Sequence, residues 1–312
     1  MNDFGRILII DDDVAFLETY EDLLSAQGYI VERATNRTKA LERLDEPGWA
    51  VVIVDQKLNG PGGPDDGLDL IAEVGIRAPG AKAILATAYA SKVAVERAFR
   101  DGAYDYLEKR DVFAALLQVK VRNAMEAVRE RWLGSLDQSA TETAIRNTWD
   151  AVRNEKDRQR KGLLLEHLME LILKTIPGFN RLGSRMKNET EELDILVQNN
   201  SPDPFWQKES PYILVECKNW SSQHVGTKEV RDLLGKIEDR YQRCRLAVLV
   251  AVGGFADTVR LELAKGAKGN QLVMLMGAGD LDNLVKSADR NEVLKDVHRR
   301  AVGATFDHGR DE

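Results

Sequence analysis

Over roughly the first 125 residues, short unbroken apolar runs alternate with longer amphipathic stretches. RILII and VVIVD read as buried parallel strands, and AILAT and YDYLE as two more. Between and after them, LETYEDLLSAQ, TKALERL, LDLIAEVGI, KVAVERAFRDG and VFAALLQVKVRNAM carry apolar residues at helical spacing. Such alternation predicts a doubly wound α/β domain with a parallel sheet and a working site at the carboxyl ends of its strands. Gly28, Gly102 and the Pro61-Gly62-Gly63-Pro64 run punctuate it as turns.

Residues 111–160 are almost wholly helix-permissive, with a break near Gly134-Ser135-Leu136. Two apolar stripes, Val121/Met125/Val128/Trp132 and Ile145/Trp149/Val152, suit helix pairing, either between two protomers or inside one. From Gly162 the pattern becomes helix (LLLEHLMELILKTI), strand (ELDILVQN), a polar loop (NNSPDPFWQKESP), strand (YILVECKNW), helix (KEVRDLLGKIEDRYQR), strand (LAVLVAV), helix (ADTVRLELAKGA) and strand (LVMLMG). That order predicts a second, mixed α/β domain. The expected organisation is a domain over 1–125, a helical linker over 126–160, a second domain over 161–295 and a polar tail over 296–312.

The formal net charge of −7 arises wholly in residues 1–126, where 22 Asp and Glu face 15 Lys and Arg; the rest has 29 of each. Arg153, Lys156, Arg158, Arg160 and Lys161 form the densest basic cluster, a candidate phosphate-contacting face or a solvated helix face. With two cysteines, Cys217 and Cys244, both in apolar stretches, a disulfide framework is not indicated. The opening MNDFGRILII lacks the form of a leader, and no apolar run approaches the ~20 residues that span a bilayer, so a cytoplasmic protein without membrane contact is expected.

Candidate chemistry gathers in two places. Asp11, Asp12 and Asp13 follow one apolar strand and Asp55 follows another, so they share a rim. Clustered carboxylates repel unless a cation lies among them, and an all-oxygen set favours a hard ion such as Mg²⁺. Thr87 ends AILAT on the same rim, and Lys109 after YDYLE offers a cation for a phosphoryl oxygen. In this order, with GAYDYLEK, these residues resemble the receiver domain of two-component response regulators, a flavodoxin-like fold. The resemblance implies Asp55 as phosphoacceptor, Asp11, Asp12, Asp55 and the Lys57 carbonyl as Mg²⁺ ligands, and Thr87, Tyr106 and Lys109 as switch residues. It further implies a sensor histidine kinase or phosphotransfer protein as partner. The sequence departs from the family pattern at Arg110, where proline commonly follows the lysine, and in extra loop residues around Pro61–Pro64.

The second place is Asp194 in ELDILVQN with Glu216 and Lys218 in YILVECKNW. Strand alternation puts Glu216 and Lys218 on one face, and two carboxylates with a peptide carbonyl can hold Mg²⁺ or Mn²⁺ beside a phosphate. Glu191 and Glu192 compete with Asp194 for the ligand role; His224 is a candidate substrate contact, and Trp206 and Trp220 are either base-stacking residues or, as is commoner for tryptophan, partly buried ones. Together with the helix carrying Glu166, the CKNWSSQHVGTKEV turn and the LAVLVAVGGF strand, this order resembles the Mrr-like branch of the PD-(D/E)xK restriction-endonuclease-like superfamily. The resemblance implies Asp194, Glu216 and the Cys217 carbonyl as metal ligands, Lys218 as the catalytic lysine, and Glu166 as a further ligand or outer base. The expectation is a DNA endonuclease, acting as a homodimer and controlled from Asp55, with defence against foreign DNA as its setting. The alternatives are a DNA-binding regulator or scaffold with an inactive nuclease-like domain, and a signalling adaptor.

Overall fold

In the computed structural model, described for all residues except 1–4, 61, 89, 188–191, 220–223, 241–242, 267–269 and 305–312, the chain divides into two units, Met1–Asp137 and Gln138–Glu312. At 184–187, 192 and 264–266 the backbone alone is described. The boundary at 137/138 splits the stretch 126–160 between the two units instead of leaving it as a separate linker.

The first unit alternates β1 (Arg6–Ile10), α1 (Val14–Ser25), β2 (Ile30–Ala34), α2 (Arg37–Leu44), β3 (Trp49–Asp55), α3 (Asp66–Arg77), β4 (Lys82–Thr87), α4 (Lys92–Arg100), β5 (Asp105–Glu108) and α5 (Phe113–Ser135). All five strands are parallel, in the order β2-β1-β3-β4-β5, a flavodoxin-like sheet. Every residue of β3 is buried, as a central strand covered on both faces requires. In this order the chain reverses direction across the sheet between β1 and β3, and their carboxyl ends carry Asp11 and Asp55 at the crevice where such folds bind ligands. β2 is an edge strand that the apolar pattern did not announce, because IVERA alternates weakly and carries two charges.

The second unit comprises α6 (Gln138–Asn154), α7 (Arg158–Lys174), β6 (Phe179–Lys187), β7 (Glu192–Asn199), a 3₁₀ turn (Trp206–Lys208), β8 (Tyr212–Lys218), α8 (Thr227–Glu238), β9 (Cys244–Ala251), α9 (Asp257–Gly266), β10 (Leu272–Gly277), α10 (Ala278–Lys286) and α11 (Arg290–Gly303). Its sheet runs β10-β9-β8-β7-β6; β6, β7 and β8 pair antiparallel, and β8, β9 and β10 parallel. Strand β6 is a second addition to the sequence reading, its FNRLGSRMK having too few apolar residues to signal a strand. Helix α7 is buried along Leu163–Leu173, as befits a helix surrounded by its own unit.

Two readings left open by the sequence narrow here, and one expectation changes. Ile145, Trp149 and Val152 are buried within the second unit, where the Trp149 indole donates to Asp282 at 2.6 Å, so that stripe packs inside one chain. Val121 likewise lies in the first unit's core, while Trp132 at the far end of α5 stays 37% exposed. Helix α11 continues through residue 295 to Gly303 with Leu294, Val297 and His298 buried, so the segment expected as a tail is packed helix for much of its length.

The polar loop after β7 is pinned by α11. Trp206, fully buried, donates to Asn291 at 2.7 Å; Asn291 donates to Asp203 at 2.9 Å; Lys295 meets Asp203 at 2.6 Å; and His298 pairs with Glu209 at 2.9 Å. These bonds give the loop and Trp206 a structural role.

Candidate active sites

At the first site, apolar strands end abruptly in charge. Asp11 is buried at the end of β1, and its Oδ1 accepts the Asp13 amide at 3.0 Å. Asp13 itself turns away to cap α1, accepting the Ala15 and Phe16 amides. Asp12 accepts the Gly60 amide at 2.7 Å, and Asp55 the Lys57 amide at 2.8 Å. The carboxylates of Asp11, Asp12 and Asp55 come within 4.8 Å of one another, the one such group of three ligand-type side chains among the described residues. Lys109 bridges two of them, its Nζ 2.6 Å from Asp11 Oδ2 and 2.5 Å from Asp55 Oδ1, and the same ammonium lies 4.1 Å from the centre of the Phe16 ring. Burial raises the Asp11 pKa despite Lys109; burial also pulls Lys109 down, but Asp11 and Asp55 outweigh it and leave that pKa raised. The result is a cavity of about 340 Å³ floored by oxygen donors and one ammonium, a set that fits a hard divalent cation and a phosphoryl group.

Thr87 lies at the end of β4 on the same cavity, buried, and its hydroxyl donates to Gln56 Oε1 at 2.7 Å. Gln56, which the sequence did not single out, also donates to Asp65 ahead of α3 at 2.8 Å. Tyr106 is half-buried on β5, edge-on to Phe99. Gly67 lets α3 close on β3: a Cβ there would come to 1.8 Å from the Asp55 carbonyl oxygen.

The second site is assembled by strand register. Ile195 pairs with Val215 at the last rung of the β7–β8 ladder, and Asp194 and Glu216, the residues just past that rung, lie close enough for their charges to interact. Asp194 Oδ2 accepts the Cys217 amide at 2.6 Å. Burial, then the Glu216 charge, raises its pKa to about 6 against the pull of that amide and of Lys218 and Lys236. Glu216 is buried, and Lys218 Nζ donates to its Oε1 at 2.7 Å. For Lys218 the Glu216 charge and hydrogen bond outweigh burial and hold the ammonium protonated. Burial and the neighbouring carboxylates push the Cys217 thiol well up, so it is no thiolate; its expected role is through its carbonyl. Adjacent carboxylates, Asp194 half-buried and Glu216 buried, form with the strand-end backbone an oxygen donor set that fits Mg²⁺ or Mn²⁺.

Glu166 is buried on α7 near enough to bear electrostatically on Cys217, but it does not join Asp194 and Glu216 in a three-carboxylate group within 4.8 Å. Lys236 on α8 was missed by the sequence reading, and its Nζ donates to both oxygens of Glu216 at 2.9 and 2.8 Å. Its signal was weak, being 20 residues beyond Glu216 on a helix with many charges. His224 is exposed; Glu191, Trp220 and the side chain of Glu192 lie outside the described residues. Asn219, directly after Lys218, donates to the Arg158 carbonyl, so the exposed start of α7 with Arg158 and Arg160 adjoins this strand end.

Comparison with known proteins matches residues 7–119 to the response regulator receiver domain family and residues 158–285 to a restriction endonuclease family of the Mrr type. The acid tolerance regulatory protein ActR of Sinorhizobium medicae is 31% identical, over 40% of this chain and 68% of its own length. The chain belongs to the response regulators. Its second unit is an Mrr-like restriction-endonuclease domain. This response regulator is also 33% identical to the alginate biosynthesis transcriptional regulatory protein AlgB of Pseudomonas aeruginosa, across 34% of the chain, which spans 22% of AlgB's length. Among solved structures, a CheY-like response regulator receiver domain protein from Methanospirillum hungatei is 29% identical, with a TM-score of 0.37 over 41% of this chain and 98% of that one. No described helix is long and apolar enough to cross a membrane.

Proposed function

We propose that this response regulator takes a phosphoryl group on Asp55 and thereby controls divalent-metal-dependent DNA cleavage by its second unit. The observation that carries the nuclease half is the gathering of Asp194, Glu216 and Lys218 just past the end of the β7–β8 ladder. Asp11, Asp12, Asp55 and the Lys57 carbonyl would hold Mg²⁺ in the receiver; Asp194, Glu216 and the Cys217 carbonyl would hold Mg²⁺ or Mn²⁺ in the nuclease domain. In either place the cation offsets charge that builds up on a phosphate during transfer.

In the receiver, an Asp55 oxygen attacks the phosphorus of a phosphohistidine on a kinase or phosphotransfer partner, forming the acyl phosphate as the P–N bond breaks and the partner's imidazole leaves. Lys109, already against Asp55, pairs with a phosphoryl oxygen, and Thr87 leaves Gln56 to donate to another. Tyr106 then repacks on β5, altering the face that α4 and α5 present. In the nuclease domain Lys218 orients a water and helps hold charge on the scissile phosphate. Glu166 serves from outside the donor set, and the basic start of α7 contacts the DNA backbone beside the strand end. Because a duplex has two strands, paired nuclease domains of a homodimer serve double-strand cutting. A kinase or phosphotransfer partner places the protein in the cytoplasm, and foreign DNA is the substrate proposed for its Mrr-type domain.

A second reading, DNA binding without cleavage, draws on Lys236, which already neutralises Glu216. Plasmid cleavage in Mn²⁺ separates the two: the first requires nicked and linear products that vanish in Lys218→Ala, whereas retention of DNA with no cutting by either protein selects the second.

A further inference from the structure

The Asp…Glu-x-Lys pattern contains one lysine, yet two ammonium groups hold Glu216. Lys218 Nζ donates to Oε1 at 2.7 Å, and Lys236 Nζ donates to Oε1 and Oε2 at 2.9 and 2.8 Å. The contact is sheltered, with side-chain exposures of 17% for Lys236 and 6% for Glu216. Helix α8 puts it there by burying Val230, Leu233 and Ile237 against the sheet; Lys236, beside Ile237, emerges at the margin of that face with its stem leading toward β8. The Lys236 carbonyl accepts from the Arg240 guanidinium one turn later, which adds a further positive charge nearby.

We propose that Lys236 is the resident cation of this site: it occupies the face of Glu216 that a divalent ion would use, and yields it when the ion binds. The inference rests on the nuclease reading. Asp194 and Glu216 are matched in charge by Lys218 and Lys236, which lets two carboxylates sit together under cover without a metal. An incoming ion and the Lys236 ammonium compete for the same two oxygens and repel each other. Displaced, Lys236 leaves the site with surplus positive charge, suited to a phosphodiester whose negative charge grows in the transition state. The residue is therefore expected to weaken metal binding and to favour cleavage.

The test is calorimetric titration of Mn²⁺ into the full chain carrying Asp12→Ala and Asp55→Asn, which silence the receiver site, with and without Lys236→Met. Removal of the competitor should tighten Mn²⁺ binding about tenfold, the scale of one hydrogen bond to a charged group. Cleavage at saturating Mn²⁺ should fall in the same variant. Lys236→Arg, which keeps charge and stem, should not tighten binding. Unchanged or weaker affinity in Lys236→Met overturns the proposal, as does equal tightening in Arg240→Met, which would reveal a general field. If Mn²⁺ is taken up neither with Lys236 in place nor after Lys236→Met, the nuclease-metal reading itself fails; uptake by the variant alone supports the proposal.

Discussion

Replacing Lys109 by methionine keeps an apolar side chain of similar length but removes the ammonium that lies over Phe16 and touches Asp11 at 2.6 Å and Asp55 at 2.5 Å. The carboxylates left behind have side-chain exposures of 2% and 10%, so water screens their repulsion poorly. Breaking a buried ion pair from one side costs about 3–5 kcal/mol, and proton uptake by Asp11, whose pKa burial already raises, moderates that loss. Hydrogen-exchange mass spectrometry on peptides covering Trp49–Asp55 reads that loss in the full chain, in EDTA. Magnesium ion should then restore the variant more than it stabilises the wild type, because the ion takes over the charge that Lys109 supplied. At a concentration 100-fold above its Kd, binding to the folded state contributes about 2.7 kcal/mol. A loss below about 0.5 kcal/mol, well short of the cost of a broken buried pair, would refute the reasoning, as would a Mg²⁺ effect no larger than in wild type.

Two further outcomes follow from packing and titration. Gly67→Ala drives a methyl group into the Asp55 carbonyl, so α3 must shift and labelling of Asp55 by acetyl phosphate should fall severely with a destabilisation of about 1–3 kcal/mol; wild-type labelling would contradict the close approach. The Asp203 pKa is lowered from 3.8 to about 2 by Lys295, the Phe205 amide and Asn291. Because the folded value lies below the unfolded one, the stabilisation is present above pH 3.8 and is lost as pH falls through about 2. Exchange protection of residues 200–210 should therefore drop across that window in wild type but not in Asp203→Asn.

Both sheets were legible where apolar runs were dense, because β1, β3, β8 and β9 must be buried and their residues say so. The receiver cluster was legible because each of its members closes such a run. Asp194 and Glu216 could be named from local context, but their apposition came only from the β7–β8 register, which local sequence does not state. Lys236 was hidden for a related reason: a lysine on an amphipathic helix looks solvated until the helix is placed against a strand. Trp206 read as a candidate substrate contact, and His298 fell in the expected tail, because their partners, Asn291 and Glu209, lie 85 and 89 positions away. Short-range pattern shows what must be buried; it does not show which distant polar group will be waiting there.

The measurement that bears most directly on phosphorylation-controlled cleavage is the Mg²⁺- or Mn²⁺-dependent rate of plasmid cutting with and without acetyl phosphate, with Asp55 labelling followed in the same tubes. The account predicts that the donor changes the wild-type rate by at least about fivefold, the low end of ordinary coupling between sites, leaves Asp55→Asn unaffected, and finds no cutting by Lys218→Ala. Full labelling of Asp55 with an unchanged cutting rate would contradict it.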